Sequence, residues 1–142
     1  MKTISQLIHG QENTIWAVKP DDLVHHAVKL MAEKDIGALL VISQNKLIGV
    51  VSERDCTRKT LLSGLSALET TVETIMTPRV AYAKPSHTID ECMALMTEKR
   101  IRHLPIMDGD DIVCIISMGD LVKEVIAEQK ILIDQLEHYI SG

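Results

Sequence analysis

Two short segments hold the residues best suited to chemistry, Ser52-Glu53-Arg54-Asp55 and Ser117-Met118-Gly119-Asp120. In each, a hydroxyl is followed at the third position by a carboxylate able to accept two hydrogen bonds from a vicinal diol. A hydroxyl at a helix start also lies beside unpaired backbone N–H groups, which suit a phosphate. The same Ser-x-x-Asp pattern ahead of an apolar helix resembles a capping box, with Ser52 and Ser117 closing the helix start. One residue can serve both purposes.

What separates these segments from a chance match is that their surroundings are duplicated with them. The stretch from Lys19 to Asp55 recurs without a gap from Lys84 to Asp120, at an offset of 65 residues. Lys19/Lys84, Pro20/Pro85, Leu30/Leu95, Met31/Met96, Glu33/Glu98, Lys34/Lys99, Ile36/Ile101, Leu39/Leu104, Ser52/Ser117 and Asp55/Asp120 are identical pairs. Two copies of one supersecondary unit, each too small to bury a core alone, should pack together around a pseudo-twofold axis. The crevice between them is a natural ligand site.

The elements that position these residues follow from hydrophobic periodicity. Leu23, Val24, Ala27, Leu30 and Met31 form one helical stripe, matched in the second copy by Ile89, Cys92, Met93 and Met96. Pro20 and Pro85 set where these helices begin. Apolar runs then flank polar turns, Ala38 to Ile42 and Leu47 to Ser52 in copy one, Leu104 to Met107 and Ile112 to Ser117 in copy two, and predict hairpins. A helix follows each Ser-x-x-Asp, so the unit is β-α-β-β-α and the fold class is an α/β sandwich of two such units. The expected organisation is copy one with its lead-in at 1–62, a linker at 63–71, copy two at 72–126 and a C-terminal helix extension at 127–142. Val122, Val125, Ile126, Leu132, Ile133, Leu136 and Ile140 give that helix an apolar stripe that this module or a second subunit must cover.

Composition excludes several classes. The chain has 142 residues, 46% of them hydrophobic, and a net charge of −5, which argues against a nucleic-acid footprint. With no Phe, one Trp and two Tyr, platforms for base stacking are missing too. No apolar run suits a membrane span and the N-terminus lacks a signal-peptide core, so a cytoplasmic protein is expected. Cys56, Cys92 and Cys114 read as reduced core residues. His25 and His26 point apart on a helix, and His9, His87 and His138 have no partner at ligand spacing, so no metal site is expected. No Gly-x-Gly-x-x-Gly, Gly-x-Ser-x-Gly or zinc-protease motif is present, and no catalytic set is visible.

The strings IGALLV (36–41), GVVSERD (49–55), IMTP (75–78), CMALMTEKRIRHLP (92–105) and ISMGDLVK (116–123), at matching positions of the duplication, resemble the CBS-domain family of tandem cystathionine-β-synthase-type modules. The resemblance covers nearly the whole chain and is nearest to small stand-alone bacterial proteins made of one CBS pair (a Bateman module). It implies a regulatory, non-catalytic module with up to two adenosine-ligand sites, taking AMP, ADP, ATP, S-adenosylmethionine or NAD(H). It also implies a homodimer acting on an effector protein.

In related modules a site joins the Ser-x-x-Asp of one copy to adenine-facing residues of the other. The main site implied here combines Ser52, Arg54 and Asp55 with Thr88, Ile101, Arg102 and His103. The second combines Ser117 and Asp120 with Leu23, Ile36, Gly37 and Ala38. Arg102 and His103 supply donors for a phosphate where Gly37 and Ala38 supply none, so the main site is expected to bind phosphate better unless Lys123 helps the second. Thr88 with Glu91 also fits a capping box, and Arg102 also fits a surface salt bridge. Cys114 stands where copy one has Gly49, which adds a side chain near the second site, and Cys56 occupies a position often aromatic in the family. The alternatives are a dimerisation or interaction protein with vestigial sites, and a slow nucleotide hydrolase supported only by the polar cleft.

Overall fold

The computed structural model describes residues 2–10, 15–78 and 80–141. In copy one, β1 (Ala17–Val18) runs parallel to β2 (Ala38–Ser43), which forms a hairpin with β3 (Lys46–Ser52). The turn residues Gln44 and Asn45 both take positive φ, 52° and 64°, the geometry whose twist matches a two-residue hairpin. Helix α2 (Val24–Lys34) buries Val24, Ala27 and Met31, and α3 (Glu53–Cys56) runs into a π-helical turn, Thr57–Leu61. Copy two repeats the plan with α5 (Ile89–Lys99), β4 (His103–Asp108) and β5 (Asp111–Ser117). The strand irregularity falls at Val41/Ile42 in one hairpin and at Ile106/Met107 in the other, the same place in each copy.

The first strand of copy two shrinks to a single bridge, Ala83 to Ile106, the counterpart of the Val18 to Val41 pairing. In copy one the Leu40 N–H donates to the Trp16 carbonyl at 3.3 Å. The residue equivalent to Leu40 is Pro105, which has no N–H to give, and the ladder is cut short there.

Each copy is completed by a short helix from across the duplication. α1 (Ile4–Ile8) packs Ile4, Leu7 and Ile8 into the core of copy two, whereas α4 (Val72–Ile75) places Val72, Ile75 and Met76 in the core of copy one. Their contacts correspond one for one. Ile4 N–H donates to the His87 carbonyl and Val72 N–H to that of Asp22, both at 2.8 to 2.9 Å, and Thr3 bridges Thr88 as Thr71 bridges Leu23. The residues concerned, Thr3/Thr71, Ile4/Val72, Leu7/Ile75 and Ile8/Met76, are themselves a repeat, at an offset of 68 rather than 65. The connecting segment 63–71 is fastened to copy one, where the Ala67 and Thr70 carbonyls accept from the first N–H groups of α2, His25 and Val24.

Helix α6 (Met118–Ser141) follows the second Ser-x-x-Asp without a break, about 36 Å long at 1.5 Å per residue. Leu121 is buried and Met118 and Val125 pack on copy two. Further along, Ile126, Ile131, Leu132, Ile133, Leu136, Tyr139 and Ile140 are exposed. Among the described residues no helix is long and apolar enough to cross a membrane.

Candidate functional site

Both Ser-x-x-Asp segments form capping boxes. Asp55 N–H donates to Ser52 Oγ at 3.1 Å, and Asp55 Oδ2 accepts from Ser52 N–H at 2.9 Å and from Ser52 Oγ at 3.0 Å. The corresponding Asp120 and Ser117 bonds are 3.1 and 3.0 Å. Asp55 has a further partner, Lys59, with Nζ 3.2 Å from Oδ1. Lys59 Nζ also donates to the Ile75 carbonyl at 3.1 Å and so ties α4 to the copy-one segment. Copy two reverses the charges: Glu124 stands where copy one has Lys59, and it pairs with Lys2 at the start of the lead-in that packs there.

Beside the first Ser-x-x-Asp lies a cavity of about 830 Å³ lined from both copies. Copy one contributes Gly37, Val50 and Ser52 to Asp55, the intervening segment gives Thr77, Val80 and Ala81, and copy two gives Lys99 to His103 and Pro105. Ser52, Arg54, Asp55, Ile101, Arg102 and His103, expected together, are therefore brought together. Thr88 is not among these lining residues. It caps α5, its Oγ accepting from Glu91 N–H at 3.1 Å, and its backbone bridges Thr3. The capping alternative describes where it sits, and the exchanged lead-in is why.

The second set is more dispersed. Ser117 and Asp120 stand together, but Leu23 is the N-cap of α2 bridged to Thr71, and Ala38 is buried opposite Ser52 in the hairpin. Ile36 packs on the copy-one core, and Gly37 lines the main cavity. A Cβ on Gly37 would stand 3.1 Å from the His103 ring, so the imidazole occupies the space above that glycine, at the seam between copies. Burial holds the His103 pKa below its usual value and Arg102 pushes the same way, while Asp120 and Glu53 oppose them. The balance favours the neutral ring, opposed by one carboxylate from each copy.

Gly49 answers to a close approach elsewhere. A Cβ there would stand 2.6 Å from Met76 Sδ and 3.0 Å from the Thr77 carbonyl oxygen, because Thr77 bridges Val50 across it. No corresponding bridge is made to β5 among the described residues, which leaves room for Cys114. Cys114 packs in the core of copy two. Cys56, Cys92 and Cys114 are all buried and free, with pKa values raised to about 11 chiefly by desolvation.

Glu53, Lys99 and Arg100 complete the polar lining and were not singled out from sequence. The available signal was adjacency, since Lys99 and Arg100 directly precede Ile101 in the corner between α5 and β4. Among the described residues no group of three His, Cys, Asp or Glu side chains is placed to hold a metal ion.

Comparisons with known proteins bear on the family and the fold. The family description of the CBS domain matches twice, over residues 13–61 and 72–127. The structure of a protein with CBS domains from Burkholderia ambifaria MC40-6 is 50% identical, with a TM-score of 0.86, covering 90% of this chain and 96% of that one. The CBS domain-containing protein CBSX3, mitochondrial, of Arabidopsis thaliana is 36% identical over 127 residues, 86% of this chain; the chain spans 62% of that relative's length. The structure of CBSX2 in complex with AMP is 26% identical with a TM-score of 0.73, covering 89% of this chain and 98% of that one.

Proposed function

The chain belongs to the CBS-domain family as a tandem pair, and from that premise we propose that it is a non-catalytic regulatory protein that binds an adenosine-containing ligand, AMP, ADP, ATP or NAD(H), between its two copies. The carrying observation is the cavity of about 830 Å³ in which the copy-one Ser-x-x-Asp meets Arg102 and His103 of copy two. Its volume is that of a small-molecule site. The AMP held by CBSX2 supports the ligand class, and the name of the Burkholderia relative, which proposes signal transduction for it, supports the regulatory role. In this reading Asp55 accepts from the ribose hydroxyls, exchanging its Lys59 contact for them, and Ser52 and Arg102 face the phosphate. Occupancy reaches an effector protein through a difference in ligand affinity between two packings of the copies. We place the protein in the cytoplasm, where its three free thiols stay reduced.

The test is a thermal-shift panel of adenine nucleotides, NAD, NADH and S-adenosylmethionine on the wild type, Asp55→Ala and Asp120→Ala. Each ligand-induced shift is read against the same variant without ligand, since both aspartates also cap helices. A ligand at 100 times its Kd adds about 2.7 kcal/mol of stability. Stabilisation lost in Asp55→Ala and retained in Asp120→Ala is the expected outcome, and no shift with any ligand would refute the reading. The exposed apolar stripe of α6 favours a second reading, a dimerisation or interaction protein with vestigial sites. The two readings share the expectation of a homodimer, which light scattering reports, and they part at the ligand panel.

A further inference from the structure

The main cavity carries more positive charge than one phosphate needs. Arg54, Lys99, Arg100 and Arg102 all line it, and among the described residues none of them forms an ion pair. The carboxylates beside them are Glu53 and Asp55, and Asp55 is already held by Ser52 and Lys59. A terminal phosphate has about two negative charges near neutral pH, which one guanidinium fork and one further cation satisfy. Two cations remain, of which Glu53 can offset one, and the surplus calls for a further anionic group in the same ligand.

The fold does not generate this charge by itself, because copy one builds the same corner without it. Lys34, the counterpart of Lys99, sits over the Trp16 ring with Nζ 4.4 Å from the centroid. Arg100 caps α5 in the left-handed conformation, φ 56°, and Asp35 caps α2 at φ 52° with the opposite charge. Arg102 corresponds to Gly37, and Arg54 to Gly119. A cation near a helix C-terminus complements the helix dipole, which suits a lysine at each helix end and Arg100 at the cap of α5 but does not account for Arg54 and Arg102.

We propose that the main cleft selects a nucleoside polyphosphate over a monophosphate, with Lys99 and Arg100 gripping the phosphates beyond the first. This rests on the nucleotide-binding reading above and specifies the ligand within it. Arg102 and Arg54 then serve the first phosphate, shared by every adenine nucleotide, while the α5 corner counts the others. Arg100 delivers a long, permanently charged fork from a backbone conformation in which glycine would be easier, and Lys99 precedes it on the last turn.

Calorimetric titration of the full-length chain with AMP, ADP and ATP in magnesium-free buffer tests this. The wild type is compared with a Lys99→Gln, Arg100→Gly double variant. Both residues are exposed, glycine accepts the left-handed cap, and circular dichroism checks the fold. The wild type should bind ATP at least about tenfold more tightly than AMP, and the double variant should reduce that ratio to within about twofold, losing far more ATP affinity than AMP affinity. Added salt should weaken wild-type ATP binding more steeply than AMP binding. Equal affinity for AMP and ATP in the wild type, or equal losses for both in the variant, overturns the selection while leaving nucleotide binding intact. Failure of all three nucleotides to bind overturns both.

Discussion

Copy one and copy two fold on the same backbone plan and differ in charge at several equivalent places. The α5 corner presents Lys99, Arg100 and Arg102, where the α2 corner presents Lys34, Asp35 and Gly37. After the Ser-x-x-Asp, copy one has Lys59 reaching its own Asp55 and the α4 backbone, whereas copy two has Glu124 bound to Lys2. Hydrophobic positions are kept because both copies must bury the same faces, and in the proposed reading charged positions differ because only one cleft takes the anionic ligand. Duplication thus supplies a scaffold, and departures from it coincide with the proposed site.

The exchanged lead-ins offer the strongest way to break this comparison. Ile4 is fully buried in copy two although it lies at the other end of the chain. Ile4→Ala should cost about 2–5 kcal/mol by urea denaturation, as large-to-small core substitutions do. The loss should appear as increased amide exchange in α5, β4 and β5 rather than in copy one. Loss spread evenly over both copies would mean that they unfold as one unit.

A smaller effect is expected where the copies differ at Gly49 and Cys114. Gly49→Ala places a methyl against the Thr77 carbonyl and Met76, and overpacking of this kind costs about 1–3 kcal/mol. Cys114→Gly in copy two meets no such crossing among the described residues, so it should lose only the packing of a small buried side chain. A Gly49→Ala variant as stable as the wild type would remove the crossing strand as the reason for that glycine.

The smallest effect concerns His103, whose counterpart Ala38 does not titrate. Its pKa is depressed in the fold below the ordinary 6.5, so the fold favours the neutral ring. The resulting stability is present above pH 6.5 and is lost as the pH falls through the folded value. His103→Gln should therefore flatten the decline of Tm on acidification without ligand. An identical decline in the variant would show that the ring at the seam is not under strain from protonation.

Much of the site was legible in the chain because its parts are short strings at a constant offset. The hairpins and helices follow from local periodicity, while the grouping of Ser52, Arg54 and Asp55 with Ile101, Arg102 and His103 comes from the resemblance to the CBS-domain family, and the cavity lining holds these six together. Thr88, outside the cavity lining, sits in the capping box with Glu91 that the local pattern offered, but its backbone bridge to Thr3, like that of Leu23 to Thr71, is reported by no local pattern. Each is bridged to a lead-in, and the lead-ins repeat at an offset of 68, out of step with the rest, so the duplication conceals them. The single missing N–H of Pro105 shortened a strand that propensity alone would have extended.

By itself, then, the sequence determined the duplication and the elements, because these depend on which residues must leave water, and its family resemblance indicated which two segments would face one another. Only the tertiary structure decided that each copy is closed by the other end of the chain, that His103 rests over Gly37, and that Lys99 and Arg100 stand at the open cleft while Lys34 turns to Trp16. Those outcomes depend on distances between groups far apart in the chain, which packing sets and hydrophobic periodicity does not encode.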